Sequence, residues 1–325
     1  MCIRDRGEEW RRDWHPVRIE KAGSSDNVLV VGAGPTGLEA ALALSDRGYS
    51  VMIAEAQSVS GGRVIAETSL KSLSDWRRVA DHRTYMLSQR AGVQSFMESK
   101  LTVEDILETD AAHIAIATGS HWKVDFTGLQ HHHPVPVSDN AVVVSVDEIL
   151  KGVRPDGKVL IYDDDHYYMA SVIAEQLASE GNKVTLVTPA TDLAGFTHNT
   201  LEHEHNQIRL RKLGVEIICN KEIHRVDADS VKLSCVYIET ITEIAADAVI
   251  PVTSRTANDS LYTALTGQQQ KLSEHGIKTV KAIGDCYAPA TIAMAVYAGH
   301  EYARTLDQTP EQANFFKREL GLGGE

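Results

Sequence analysis

The sequence predicts an α/β protein built of two similar domains, with the second inserted into the first. A strand–loop–helix–strand unit occurs near the start of the chain and recurs in its middle, and the element that closes the first domain comes only at residues 281–285. Parallel strands joined by helices form open sheets of this kind. We therefore expect one domain at 26–140 with 258–325 and a second at 141–257, after a connector at 1–25.

Composition and charge limit the class of protein. The chain has 325 residues, of which 43% are hydrophobic and 24% charged, and no apolar run approaches the roughly 18 residues of a membrane span. A net charge of −13 disfavours nucleic acid as a partner, because phosphates repel an acidic surface. The four cysteines are scattered and predict no disulfide framework, which favours the reducing cytoplasm.

No metal site is predicted from the histidines. The adjacent residues 131–133 are bounded by proline and are interpreted as a solvated loop, since neighbouring side chains rarely converge on one ion. His198, His203 and His205 lie in a polar stretch with two glutamates, which favours a surface helix over a set of ligands.

The first six residues, 1–6, resemble a translated adapter remnant and are taken as non-native. On this interpretation the natural protein begins upstream and the chain is a fragment. An ordinary ragged terminus is the alternative.

The first repeat carries a glycine pattern suited to a dinucleotide. A short buried strand, 28–31, leads into Gly32, Gly34 and Gly37 with the spacing G-x-G-x-x-G. Gly32 permits a tight turn, Gly34 lets the backbone approach a pyrophosphate, and Gly37 lets the following helix pack closely on the sheet. The pattern predicts a phosphate-binding turn between strand and helix.

The residues around this turn complete the expected site. Pro35 and Thr36 begin a helix whose N-terminus offers N–H groups to phosphates. Glu55, followed by Ala56, ends the next strand, at the distance expected for a carboxylate that accepts ribose hydroxyls. We therefore predict an adenine-dinucleotide site on a Rossmann βαβ unit.

Residues from three later motifs are added to the candidate site: Gly62 and Arg63, Thr118 and Gly119, and Gly284 and Asp285. Gly62 permits close backbone contact and Arg63 can pair with phosphate, although an ordinary glycine turn is the alternative. Asp285 could bond a sugar hydroxyl, cap the helix expected near Pro289, or do both. The complete set of predicted cofactor-binding residues is Gly32, Gly34, Pro35, Thr36, Gly37, Glu55, Ala56, Gly62, Arg63, Thr118, Gly119, Gly284 and Asp285.

Together these motifs resemble flavoproteins of the glutathione reductase type, with two Rossmann-like nucleotide-binding domains. Residues 8–16, 73–78 and 167–169 resemble trimethylamine and dimethylamine dehydrogenases, a flavin and iron–sulfur family related to old yellow enzyme and dienoyl-CoA reductase. The resemblance covers nearly all of 7–305. It identifies the chain as similar to the C-terminal nucleotide-binding half of that family.

The resemblance also implies cofactors and partners. FAD or ADP is expected in this part of the protein, and FMN and a 4Fe–4S centre in a missing N-terminal barrel. The full-length protein is expected to take a small amine substrate and to pass electrons to an electron-transferring flavoprotein, and a homodimer is left open.

The second repeat departs from the glycine pattern. Alignment of the strands puts Asp163, Asp165 and Tyr168 where the first repeat has its three glycines. Three adjacent carboxylates, 163–165, are expected to face and repel a pyrophosphate, and the Tyr168 ring occupies space that helix packing needs. Ser254 replaces a further glycine. The second domain is therefore predicted to have lost NAD(P)H binding.

The leading functional hypothesis is the nucleotide-binding part of an oxidoreductase that oxidises or demethylates methylated amines. No residue of the chain is assigned a catalytic role, and the isolated chain is expected to be inactive. One alternative is an NAD(P)H:flavin oxidoreductase of the dienoyl-CoA reductase type, which requires a working second site. The other is a free-standing nucleotide-binding module that docks a partner.

Overall fold

The computed structural model describes residues 12, 14–15 and 18–313. Residues 1–6 and most of the connector predicted at 1–25 lie outside the described residues. In chain order the strands are β1 (Asn27–Val31), β2 (Ser50–Ala54), β3 (Val93–Phe96), β4 (His113–Ile116), β5 (Ser120–Trp122), β6 (Lys158–Asp163), β7 (Lys183–Val187), β8 (Glu216–Ile218), β9 (Lys221–Val226), β10 (Ser230–Cys235), β11 (Ile241–Ala245), β12 (Ala248–Val252), β13 (Arg255–Ala257) and β14 (Thr279–Ala282).

The helices separate most of these strands. They are α1 (Pro35–Arg47), α2 (Arg63–Glu67), α3 (Arg78–Ser88), α4 (Val103–Leu107), α5 (Val146–Leu150), α6 (Met169–Ser179), α7 (His203–Lys212), α8 (Ser260–Thr266), α9 (Gln269–Glu274), α10 (Ile292–Thr305) and α11 (Pro310–Ala313). Short 3₁₀ turns occupy Lys71–Arg77, Gly195–His198 and Gly284–Cys286.

The first structural unit comprises 1–65, 76–120 and 257–325. Its five-stranded parallel sheet has the order β14-β4-β1-β2-β3. Alternate residues of the central strand β1 enter opposite cores: Val28 and Val30 lie in the core that contains α1 and α10, and Leu29 and Val31 in the core that contains α4, α8 and α9. This burial on both faces explains the continuous apolar run in β1.

Helices α1 and α10 approach each other at the level of their backbones. A Cβ added to Gly299 of α10 would lie 2.2 Å from the carbonyl oxygen of Thr36 in α1. Any larger residue at position 299 would therefore push α10 away from the start of α1, which is the helix that follows the glycine turn.

A buried polar cluster joins the same two helices to α3. The Glu39 carboxylate accepts hydrogen bonds from His300 Nδ1 at 2.9 Å and from Arg83 Nε at 2.7 Å. Arg304 Nε donates to His300 Nε2 at 3.0 Å. Because the guanidinium can only donate, His300 Nε2 is the acceptor and the imidazole carries its proton on Nδ1, facing Glu39.

The second unit comprises 66–75 and 121–256. A four-stranded parallel sheet of order β12-β6-β7-β8 packs against a three-stranded antiparallel sheet of order β11-β10-β9. Leu160 and Tyr162 of β6 share a core with Ile223 of β9 and Val231 of β10. Strands β5 and β13 form a separate two-stranded ladder.

The predicted fold class is confirmed: both units contain parallel α/β sheets, and the second is inserted into the first. The units divide differently from the predicted boundaries, because 66–75 and 121–140 group with the second unit. Backbone hydrogen bonds explain the latter segment, since Ser138 N donates to Val226 O and Val226 N to Pro136 O. None of the helices in the described part of the chain combines the length and apolar character that a membrane crossing requires.

Candidate nucleotide-binding site

The turn after β1 has the geometry that its glycines predict. Gly32 has φ of 105°, and a Cβ there would lie 2.4 Å from Ala117 O. A Cβ at Gly37 would lie 1.9 Å from Gly32 O. These two glycines therefore allow close contacts between backbones within the fold, and Gly37 does not line the pocket described below.

Gly34 differs from both, because no heavy atom lies within 4 Å of the position its Cβ would take. It is the N-cap of α1 with an ordinary φ of −74°, and no side chain of the described residues caps the helix there. The first turn of a helix leaves its N–H groups without intrahelical acceptors. Gly34 thus opens a path from the pocket to those donors.

A second glycine turn supports the first. Gly61 N donates to Ala33 O at 2.7 Å. Gly62 has φ of 54°, and its Cβ would lie 2.9 Å from the Cα of Gly34. The pair therefore packs against the glycine turn that follows β1, and Gly62 has no room for a side chain there.

Glu55 lies at the carboxyl end of β2 and is held by two backbone donors. Its Oε2 accepts from Ala33 N at 2.8 Å and its Oε1 from Gln57 N at 2.9 Å. A carboxylate offers about four acceptor positions, so two remain for hydroxyl groups in the pocket. The side chain is 8% exposed, which fixes its orientation.

The strand end after β4 is hydrogen-bonded to the segment that precedes α8. Gly119 has φ of 78°, and its carbonyl accepts from Asn258 N at 2.9 Å. Thr118 Oγ1 donates to Asn258 O at 2.6 Å. Asn258 was not predicted, because nothing in the sequence indicates that it returns to this strand.

Asp285 lies in the 3₁₀ turn after β14 and does not cap α10. The N-cap of α10 is Thr291, whose Oγ1 accepts from Met294 N, so the helix begins later than predicted. Asp285 Oδ1 accepts from Ala290 N at 3.0 Å and its Oδ2 lies 3.6 Å from Arg63 Nη1. The capping interpretation of Asp285 is therefore wrong.

Arg63 and Gly284 have structural partners in the same region. Arg63 Nη2 donates to Ala290 O at 2.8 Å, which joins α2 to the segment before α10. Gly284 has φ of 61°, and its Cβ would lie 2.1 Å from Thr36 Oγ1. Gly284 thus lets the 3₁₀ turn pass close to the start of α1.

All of these motifs surround one cavity of about 750 Å³ in the first unit. Ligand pockets commonly have volumes of roughly 300–1,000 Å³. Every predicted cofactor-binding residue lines it except Gly37 and Gly284. Lining residues that sequence reasoning missed include Gln57, Ser99, Lys100, Leu101, Ser120, Asn258, Ser260, Leu261, Ala264 and Ala295.

In the second unit, two of the three carboxylates expected to face a pyrophosphate point into the fold. Asp163 and Asp164 are fully buried. Asp163 accepts from His166 N at 2.9 Å and Ala194 N at 3.3 Å, and Asp164 from Gln130 N at 3.1 Å. For these two residues the expectation is wrong, because both bind backbone N–H groups of the chain itself.

Three further side chains occupy this region of the second unit. His166 Nε2 lies 3.1 Å from Asp164 Oδ1. Tyr168, at the third glycine position, donates its hydroxyl to Glu67 Oε2 at 2.7 Å, and Ser254 Oγ donates to Thr127 O. Each of them is therefore engaged in a contact within the second unit.

This cluster predicts that the second unit loses stability as pH rises. Burial raises the pKa of Asp163, and the nearby carboxylates outweigh burial and raise the pKa of His166. Both groups hold a proton more tightly in the folded chain than at their ordinary pKa values of 3.8 and 6.5. Stability therefore falls with rising pH above those values. We expect the temperature midpoint of unfolding, followed by circular dichroism, to be lower at pH 8 than at pH 6.

The matched variants for this measurement are Asp163→Asn and His224→Asn. The first removes one of the two titrating groups and should flatten the dependence. The second changes an exposed histidine on β9 and should leave it unaltered. Equal dependence in wild type and Asp163→Asn would contradict the assignment.

The fold is that of two Rossmann-like α/β domains, one inserted into the other, and comparison with known proteins agrees. Residues 26–151 match the pyridine nucleotide-disulphide oxidoreductase family, and 144–260 match the OYE-like second alpha/beta domain. Dimethylamine dehydrogenase of Hyphomicrobium sp. (strain x) is 33% identical over 98% of this chain and 47% of its own length.

Two solved structures are similar over most of the chain. Histamine dehydrogenase from Rhizobium sp. 4-9 has a TM-score of 0.93 and 47% identity, over 98% of this chain and 50% of that one. 6-Hydroxypseudooxynicotine amine oxidase from Pseudomonas geniculata N1 has a TM-score of 0.88 and 40% identity, over 92% and 44%. The chain is similar to dimethylamine and histamine dehydrogenases over nearly its whole length, and it spans about half the length of these relatives.

Proposed function

We propose that the cavity of the first unit binds ADP or the ADP part of FAD. The observation that carries this proposal is Gly34, whose missing side chain opens the cavity to the N-terminus of α1. A pyrophosphate there receives backbone N–H donors and the positive end of the helix dipole. Glu55 then accepts the ribose hydroxyls, and the adenine lies against Leu101, Leu261 and Ala264.

We further propose that the full-length protein oxidises or demethylates methylated amines and passes electrons to an electron-transferring flavoprotein. Similarity to dimethylamine dehydrogenase and histamine dehydrogenase supports this proposal. FMN and a 4Fe–4S centre are assigned to the part of the protein outside this chain. A bound flavin supplies electron acceptance, while the residues described here bind and orient the nucleotide.

The second unit supports this proposal over the NAD(P)H-dependent alternative. Buried Asp163 and Asp164 are already hydrogen-bonded to backbone N–H groups, and a dinucleotide phosphate would have to displace those contacts. Removing an acceptor from buried donors costs about 1–3 kcal/mol each. NAD(P)H binding is therefore disfavoured at this position.

Calorimetric titration and an anaerobic assay of the chain test the proposed function together. One molecule of ADP or FAD should bind per chain, and the two ligands should compete with one another. NADH should give no heat of binding to the second unit. With dimethylamine or trimethylamine and an artificial acceptor, the chain should show no turnover, because the amine site is assigned elsewhere.

Three results would each overturn a different part of this proposal. NADH binding that disappears in Tyr168→Ala but persists in Glu55→Gln would restore the reductase alternative. Amine-dependent turnover by this chain alone would require an active site within it. Failure of both ADP and FAD to bind would reject the nucleotide site itself.

A further inference from the structure

Three potential metal ligands lie close together in the second unit, although they are six and five residues apart in the sequence. His198 Nε2 and His203 Nε2 each lie 2.9 Å from Asp192 Oδ2. The three ligand atoms are all within 4.8 Å of one another. The two imidazole rings stack with centroids 3.8 Å apart and an angle of 20° between their planes.

The local backbone brings these side chains together. Asp192 precedes the 3₁₀ turn that ends at His198, and His203 is the first residue of α7. Ala194 between them has φ of 55°, and its N–H donates to buried Asp163. The loop is thus anchored to the carboxyl end of β6, which keeps the ligand side chains near one point.

A single carboxylate oxygen lies beside both imidazoles. Gln207 Nε2 donates to Leu193 O and lies 3.3 Å from His203 Nε2. Asp192 Oδ2 lies 2.9 Å from His198 Nε2 and from His203 Nε2. A divalent cation that took the place of the protons between these atoms would be attracted by the carboxylate and bound by both ring nitrogens.

We propose that Asp192, His198 and His203 form a site for a divalent transition-metal ion of the Zn²⁺ type. Imidazole nitrogens and a carboxylate oxygen are ligands that Zn²⁺ takes at about 2.0–2.2 Å, and such ligands lie about 3.3 Å apart around a tetrahedral ion. Because the planes of the stacked rings differ by only 20°, both rings must tilt for their in-plane lone pairs to meet at one ion. Remaining coordination positions open to water, since the side chains of His198 and Asp192 are 61% and 43% exposed.

The proposed ion joins the loop after β7 to the first turn of α7. It uses no residue of the nucleotide pocket, so it is independent of the function proposed above. The sequence predicts His198 and His203 only as parts of a surface helix. Asp192 was missed because separations of six and five residues match no familiar ligand motif, and only the turn between them makes the side chains meet.

Titration of the full chain with Co²⁺ and Zn²⁺ tests this site. One Co²⁺ per chain should bind with visible d–d absorption, and Zn²⁺ should displace it and raise the unfolding midpoint. His203→Ala should weaken Co²⁺ binding by roughly 100-fold or more, because it removes one of the three proposed ligands. Asp192→Asn, which keeps the size of the side chain, should also weaken binding while the circular dichroism spectrum is retained.

Control variants separate this site from adventitious binding to surface histidines. His205→Ala changes an exposed residue of the same helix, and His132→Ala changes the exposed histidine stretch. Neither should alter the affinity for Co²⁺. The proposal is overturned if folded Asp192→Asn and His198→Ala both bind like wild type, or if His132→Ala abolishes binding.

Discussion

Replacing Gly34 with valine is expected to abolish binding of ADP and FAD while the chain still folds. The added side chain projects into the cavity, where it blocks the approach of a pyrophosphate to the start of α1. The fold tolerates it, because φ is −74° and no atom lies within 4 Å of the new Cβ. We expect a loss of affinity beyond roughly 100-fold, equivalent to about 2.7 kcal/mol, measured by calorimetric titration.

Two matched substitutions serve as controls for this result. Gly92→Val places the same side chain at an exposed position of the same unit and should leave affinity unchanged. Gly37→Val puts a Cβ 1.9 Å from Gly32 O and should prevent the turn from forming. Unchanged ADP affinity in a folded Gly34→Val protein would show that the nucleotide does not bind at this turn.

Glu39→Ala is expected to destabilise the first unit by about 3 kcal/mol, the typical cost of removing one partner from a buried ion pair. Without the carboxylate, His300 Nδ1–H and Arg83 lose their acceptor in the packing between α1, α3 and α10. Chemical unfolding measures this change. Asp81→Ala is the control, because it breaks an exposed pair with Arg77 and should cost at most about 0.5 kcal/mol.

The same carboxylate gives a defined acid dependence. Burial opposes ionisation of Glu39, but His300 and Arg83 outweigh it and lower its pKa to about 2. Its contribution is therefore fully present above the ordinary value of 4.5 and is lost as pH falls towards 2. The stability difference between wild type and Glu39→Ala should shrink over this range. A constant difference would mean that the charge of Glu39 does not contribute.

The elements of the two sheets could be predicted because buried parallel strands and their helix caps leave local signals. The apolar run before Gly32 forms the predicted buried strand, and Gly48 follows α1 in the left-handed conformation that commonly ends a helix. The same local signals predicted most of the pocket's motifs, because the carboxyl ends of parallel strands lie along one edge of the sheet.

Long-range contacts left no such signal. Asn258 meets Thr118 only because the chain returns after the inserted unit, and Gly299 looks like an ordinary glycine within a helix. Glu39 reads as an exposed polar residue until α3 and α10 cover α1 on two sides. Asp164 was interpreted by its charge alone, whereas loop 128–131 closes over it and supplies its hydrogen-bond donors.

The inserted topology also sets an order for events during synthesis on the ribosome. The parallel and antiparallel sheets of the second unit have been made by residue 252, whereas the first unit still lacks β14 and α10 at that point. Until then β4 is an edge strand of the parallel sheet, and Glu39 has its contact with α3 but not the one with α10. Since domains generally fold as units while the chain emerges, the inserted unit can fold first. The nucleotide cavity, although its glycine turn is translated early, is completed last.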